Sequence, residues 1–438
     1  MSLAAKLNRL RGRPGQSGNE ALSDRLRRLR RVGERPTHTS ADESAGRAPI
    51  TRRPDTALCE ALGAQGSDGL MRRDRVADLC VPGAELRSLH RLPEAQGLAD
   101  ADWVYLDTET TGLSGGAGNL AFMLGMARFS PSGRLQVRQF VLANFAAERS
   151  MLREMLDWLG SDAVLVSYNG KCFDAPLLQS RLHMHRIDAD LAGRRHLDLM
   201  FTVRRAFRRL WPDCRLQTAE RHLLDFIRVD DLPGAEAPAA WQDWLFRGAT
   251  ARLTGVLEHN YRDVVSLALL HRQLVAVYAG GASQETDHAA IGKAWHASGD
   301  QAQARHVWET AGDRLGEAGS LQLAASYRRR GEWLRAERIW LSLYAHGSRV
   351  AACELSKYHE HRRRDYAQAL RFAMQAEPAE REVRTARLQG KLERGPQMPL
   401  WHAGSTGEGD EVGSAIGRRQ AACQQTGAAS LEQSPAER

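Results

Sequence analysis

The stretch Val104-Tyr105-Leu106-Asp107-Thr108-Glu109-Thr110-Thr111-Gly112-Leu113 decides how this chain reads. VYLD (104–107) has the pattern of a buried strand running into an acidic turn. On an extended strand, residues i and i+2 share a face, so Asp107 and Glu109 point together. Two carboxylates that close repel each other, and a cation between them relieves the repulsion. Oxygen ligands of this kind suit Mg2+ or Mn2+. A bare Asp-x-Glu also describes a solvated strand end. The full run LDTETTGL is far more specific.

Moving outward, AFMLGMARF (121–129) and LQVRQFVLANF (135–145) read as two further strands, with PSG (131–133) as the hairpin turn between them. ERSMLREMLDWLG (148–160) has apolar residues at helical spacing. AVLVSY (163–168) is a fourth strand, and a helix is expected from about Ala175 to His185. Three meandering strands, a helix, a strand and a helix make a mixed sheet flanked by helices, an α/β layered domain. After Asp198 the pattern is mostly helical, with DDLPGAEAP (230–238) as a loop. A long helix is expected over 250–278, its apolar side carrying Leu253, Val256, Leu257, Val264, Leu267 and Leu270.

LDTETTGL resembles the first motif of the DEDD superfamily of 3′–5′ exonucleases, which have a ribonuclease-H-like fold. That resemblance implies four acidic residues in three motifs, two bound metal ions, and a Tyr or His as base or water-positioning group. In the second motif, Ser167-Tyr-Asn-Gly-Lys-Cys-Phe-Asp174 fits, with Asn169-Gly170 turning the chain and Asp174 opening a helix. Asp is also a good helix cap, and the two roles are compatible. For the third motif, His259-Asn260-Tyr261-Arg262-Asp263 fits. His259 and Asp263 are i and i+4 and share a helix face, while Tyr261 points elsewhere. The family's tyrosine subclass has Tyr at i−4 and its histidine subclass has His at i−5. Here His stands at the tyrosine spacing, and the i−5 residue is Glu258.

The flanking text GLSGGAGNLAFMLG, NGKCFDAPLL, DDLPGAEAP and HNYRDVVSL is similar to the YprB-like ribonuclease-H-like proteins. By that resemblance Asp107, Glu109, Asp174 and Asp263 hold two Mg2+ or Mn2+ ions, and His259 is the base. The product would be a nucleoside 5′-monophosphate. The expected partner is nucleic acid, as a single strand or a 3′ end. A weak or inactive nucleic-acid-binding protein is the alternative, its repeats acting as a scaffold. Other residues nearby have two readings each. Asp198 is either a group behind the site or a strand-end Asp. Lys171 either meets a phosphate or is solvated. Gly115, Gly116 and Gly118 either let a strand approach closely or form a plain loop.

Beyond residue 285 a weak repeat appears. Gly299, Ala304 and Trp308 recur 32 positions on as Gly331, Ala336 and Trp340. Ala369 and Ala373 belong to a third copy, and Tyr358 echoes Trp295 and Tyr327. Small residues where helices touch, with aromatics filling gaps, suit stacked hairpins. The pattern resembles tetratricopeptide repeats, which implies a protein partner. Arg328–Arg330 and His361–Arg364 offer instead a path for a nucleic acid strand.

The expected organisation is a basic disordered tail (1–53), a lead-in segment with short helical stretches (54–100), the ribonuclease-H-like domain (101–280), helical repeats (285–390) and a disordered tail (395–438). In the first tail, LSDRLRRLRRV is a basic amphipathic pattern. The net charge of the 438 residues is +8, which suits a polyanionic partner or simply a soluble surface. The 6 cysteines are scattered with no CxxC pair, against both a zinc site and a disulfide framework. No apolar run approaches the roughly 18 residues that cross a bilayer. The first residues lack a signal peptide's apolar core, so a cytoplasmic location is expected.

Overall fold

The computed structural model describes residues 59–60, 62–99, 101–112, 118–281 and 285–394. The basic pattern in 1–53, the tail from 395, Gly115 and Gly116 lie outside the described residues. The chain divides into two compact units, 1–339 and 340–438.

The first unit is built on a mixed sheet of 7 strands in the order β1-β2-β5-β4-β3-β6-β7. Its strands are β1 (Gln65–Ser67), β2 (Leu70–Cys80), β3 (Trp103–Thr110), β4 (Ala121–Phe129), β5 (Arg134–Leu142), β6 (Val164–Ser167) and β7 (His196–Asp198). Short helices stand before Trp103 as expected, Gly83–Leu86 among them, but the segment also supplies two strands: β2 pairs antiparallel with β5 and extends the sheet, with β1 beyond it. Arginines interrupt the apolar alternation of LMRRDRVADLC, so the strand leaves no clean two-residue period. Those arginines find carboxylates: Arg73 and Arg75 pair with Glu258 at 2.8 and 2.9 Å.

The hairpin β4–β5 turns at Gly133, whose φ of +82° places it in the left-handed region. From Ala121 to Ala127 every residue of β4 is buried, because the sheet is covered on both faces there. The helices are α1 (Glu148–Leu159), α2 (Asp174–Met184), α3 (Leu199–Phe207), α4 (Leu216–Leu223), α5 (Ala237–Arg247) and the long α6 (Ala251–Tyr278). Gly160 ends α1 at φ +76°, and Gly248 ends α5 in the left-handed conformation. Trp241 of α5 stacks on Phe122 of β4 with centroids 5.0 Å apart, and its indole N–H donates to the Leu142 carbonyl at 2.8 Å. Burying side chains of this size removes large apolar areas from water, at roughly 25 cal/mol per Å2.

One register decides where the site lies. β3 and β6 run parallel, with Tyr105 beside Val166. Their C-terminal ends therefore open on the same edge of the sheet, the usual place for a ligand in such sheets. β3 continues past the end of β6 to Thr110, and carries Asp107 and Glu109 into that edge.

The remaining helices of this unit are α7 (His288–Ser298), α8 (Gln301–Ala311) and α9 (Gly316–Arg329), with α10 (Trp333–Ala345) spanning the division. Asp287 and Asp300 cap α7 and α8 through their side chains. A Cβ at Gly292 would stand 2.1 Å from the Trp308 ring nitrogen, so only glycine lets these two helices approach that closely. Trp295 of α7 donates to the Tyr278 carbonyl at the end of α6, at 2.9 Å.

The second unit continues with α11 (Arg349–Tyr358), a π-turn (His359–Arg363), α12 (Tyr366–Ala373) and α13 (Pro378–Glu393). Ala369, Ala373 and Leu388 form its buried centre. Glu360 is fully buried and is paired by Arg384, Arg387 and Lys391. Among the described residues no helix is long and apolar enough to cross a membrane.

Candidate functional site

Asp107 and Glu109 lie two apart on β3, opposite Gly125 and Met123 of β4. Asp174 is the first residue of α2, delivered by the loop that follows β6. It makes no cap, since the position before it is Phe173 without a side-chain cap bond. Instead its carboxylate accepts a hydrogen bond from the Thr108 hydroxyl. Asn169 sits at φ +71°, and its backbone N–H donates to Asp198 Oδ1 at 2.8 Å. The Lys171 N–H donates to Asp198 Oδ2 at 3.2 Å, while the Lys171 side chain is exposed. Asp198 also caps α3 through the Met200 N–H at 3.1 Å. It thus clamps the loop that presents Asp174. A Cβ at Gly118 would meet open space, so close packing does not require glycine there.

His259 and Asp263 come from α6, one turn apart and both buried. His259 Nε2 lies 3.9 Å from Glu109 Oε1 and 3.6 Å from Asp263 Oδ2. Its Nδ1 lies 2.8 Å from Asp231 Oδ2. Tyr261 faces away, under the Arg75 guanidinium at 3.7 Å. Glu258 is likewise held outside, by Arg73 and Arg75.

Between the two segments stands Asn260. Its Nδ2 donates to Asp107 Oδ2 at 2.9 Å, and its Oδ1 accepts from Gln139 Nε2 at 2.9 Å. Gly125 makes room for it: a Cβ there would stand 2.2 Å from Asn260 Oδ1.

The electrostatics follow from the crowding. Burial, and then the charges of Asp263, Glu109 and Asp174, push Asp107 well above the usual carboxylate range. Burial and the charges of Asp263 and Asp174 push Glu109 up to about 8. Burial lifts Asp174 to about 6 against the Thr108 bond, which pulls it down. Burial also raises Asp263, although Arg228 and His259 pull it the other way. Arg228 is ion-paired with Asp263 and reaches Glu220 at 2.6 Å and Asp231 at 3.0 Å.

These residues fit a divalent cation. Carboxylate oxygens of Glu109 and Asp263 lie within 4.8 Å of each other, with His259 Nε2 facing both. Asp107 and Asp174 add carboxylate oxygens next to them, and an oxygen-rich donor set suits a hard divalent ion. The mutual repulsion that raises these pKa values is what bound cations would offset.

Other residues hold these groups. Asn260 and Thr108 lie inside the HNYRDVVSL and LDTETTGL runs, where nothing local marks them. Arg228 and Asp231 sit in the linker after α4. Asp231 falls within DDLPGAEAP (230–238), which reads only as a loop, and Arg228 lies two residues before it.

A mixed sheet with acidic residues gathered at the ends of its parallel strands defines a class, and comparison agrees with it. Residues 104–275 match the model of the RNase_H superfamily. The chain is 31% identical over 322 residues to "Uncharacterized protein YprB" of Bacillus subtilis (strain 168), covering 68% of this chain and 76% of that one. The chain therefore belongs to the RNase_H superfamily, and its sheet domain is an RNase-H-like nuclease domain. A family B DNA polymerase from the hyperthermophilic archaeon Pyrobaculum calidifontis is a structural neighbour at 17% identity and a TM-score of 0.33. That match covers 52% of this chain, and the chain spans 29% of the polymerase.

Proposed function

We propose that this protein is a metal-dependent 3′–5′ exonuclease that hydrolyses phosphodiester bonds of DNA or RNA, as a member of the DEDD group. The observation that carries the reading is the clustering of Asp107, Glu109, Asp174 and Asp263, whose charges act on one another, with His259 beside Glu109 and Asp263. The four carboxylates would hold two Mg2+ or Mn2+ ions. When bound, such ions supply Lewis-acid activation of water and stabilise charge on the leaving 3′-oxygen.

The chain's own groups do the rest. Thr108 and Asn260 hold the carboxylates of Asp174 and Asp107 in place. His259 presents Nε2 to the gap between Glu109 and Asp263 and takes a proton from the attacking water, work suited to imidazole near neutral pH. The water oxygen bonds to phosphorus as the bond to the 3′-oxygen breaks, and that oxygen is protonated from solvent. A nucleoside 5′-monophosphate is released. The helices after residue 285 resemble tetratricopeptide repeats in their spacing, and serve as a docking surface for a protein partner.

The test uses 5′-labelled DNA and RNA single strands with Mg2+ or Mn2+. Stepwise shortening by the wild type, abolished in Asp107→Asn, supports the reading. Internal cuts would remove the exonuclease assignment. No hydrolysis of any strand with either ion would overturn the nuclease.

A further inference from the structure

Asp231 lies in the linker between α4 and α5, with a side chain only 9% exposed. Its Oδ2 faces His259 Nδ1 at 2.8 Å and accepts from Arg228 Nη1 at 3.0 Å. Its Oδ1 accepts from Arg262 Nη1 at 3.1 Å. Burial opposes the charge of Asp231, and the Arg228 bond with the nearby His259 outweighs it, so its pKa lies below the ordinary value.

Two neighbours compete for His259 Nδ1. Arg228 Nη1, at 3.3 Å, requires that nitrogen to accept. The Asp231 carboxylate, at 2.8 Å, requires it to donate. The shorter contact is also to an ionised acceptor, and charge-assisted bonds are roughly twice as strong as neutral ones. Nδ1 therefore carries the hydrogen. In the neutral ring that leaves the lone pair on Nε2, which faces Glu109 Oε1 and Asp263 Oδ2.

We propose that Asp231 is the positioning residue of this site: it holds the hydrogen on His259 Nδ1 and so keeps the Nε2 lone pair turned into the gap between Glu109 and Asp263. The kinetic consequence rests on the nuclease reading above; the tautomer itself is a property of the metal-free protein. As His259 takes the water's proton on Nε2, the Asp231 carboxylate stabilises the resulting imidazolium. Arg228 links this pair to the carboxylate cluster, since the same guanidinium holds Asp231 and Asp263.

The experiment is 15N NMR of histidine-labelled, metal-free full-length protein at one fixed pH, with His259 assigned by comparison with His259→Ala. The expected wild-type spectrum shows hydrogen on Nδ1 and an unprotonated Nε2. Asp231→Ala should give a mixture of tautomers. Asp231→Asn keeps the shape but can turn its NH2 toward Nδ1, and should shift hydrogen onto Nε2, which guards against simple misfolding. In strand hydrolysis, Asp231→Ala should cost about 10- to 100-fold, the usual loss for an orienting partner of this kind. In the His259→Ala background the same change should cost little further. Hydrogen on Nε2 in the wild type, or an unchanged tautomer in Asp231→Ala, overturns the proposal. An equal kinetic loss in both backgrounds also overturns it. Wild-type protein with the stated tautomer but no hydrolysis would sink the nuclease reading and leave the positioning in place.

Discussion

Asn260 of α6 reaches across to β3 and donates Nδ2–H to Asp107 Oδ2 at 2.9 Å. Gln139 of β5 holds the other end of that amide and also donates to the Leu257 carbonyl at 2.8 Å. Three elements thus agree on one carboxylate position. Asn260→Ala should lower metal-stimulated hydrolysis by about tenfold, the low end for loss of an orienting partner. The check is the rate on a labelled strand at saturating metal.

Gly125→Ala should reproduce that loss without replacing any polar side chain. Its new Cβ would stand 2.2 Å from Asn260 Oδ1, so the amide must move. The double variant Gly125→Ala/Asn260→Ala should be little worse than either single one, because both act on the same contact. Additive losses in the rate assay would contradict this.

The carboxylate cluster makes the metal-free fold sensitive to pH. Glu109 is raised from its ordinary 4.5 to about 8, and Asp107 is raised too. The folded state then binds more protons than the unfolded one, so stability falls as pH rises. The contribution of Glu109 is fully present below 4.5 and is lost as pH rises through about 8. Thermal melting in a chelator should show the Tm falling across that window. Mg2+ or Mn2+ should raise the Tm more at pH 8 than at pH 5. A Tm that rises with pH in chelator would contradict the mutual repulsion. Asp107→Asn should flatten the decline.

Trp295 ties α7 to the end of α6, being 3% exposed with its indole bonded to the Tyr278 carbonyl. Trp295→Ala should therefore destabilise the first unit by about 3–5 kcal/mol, the usual range for a buried Trp truncation. Urea unfolding followed by circular dichroism measures it. A change under about 0.5 kcal/mol, typical of surface sites, would mean that α7 unfolds independently of the sheet domain.

The legible parts were those with local periodicity. The buried run of β3, the β4–β5 hairpin and the apolar stripe of α6 each show within a few residues; β4 and α6 stand close to their expected bounds, while β3 runs on through the expected acidic turn to Thr110. β2 was missed because its arginines are neutralised by Glu258, a residue 183 and 185 positions away that no window spans. Asp198 carries two readings in the sequence for a similar reason. Its partners at Asn169 and Lys171 lie 29 and 27 residues upstream.

The sequence by itself determined which residues must share a face. Spacing of two on a strand pairs Asp107 with Glu109, and spacing of four on a helix pairs His259 with Asp263, because backbone geometry sets both. Only the tertiary structure decided that these pairs meet, and what aims them. The parallel register of β3 and β6 opens both strand ends on one edge, and α6 packs against β3 and β4. His259 turns its Nε2 inward because Asp231, 28 residues earlier, takes its Nδ1. A hydrogen bond across a linker has no period and no motif, so it becomes visible only when the chain is folded.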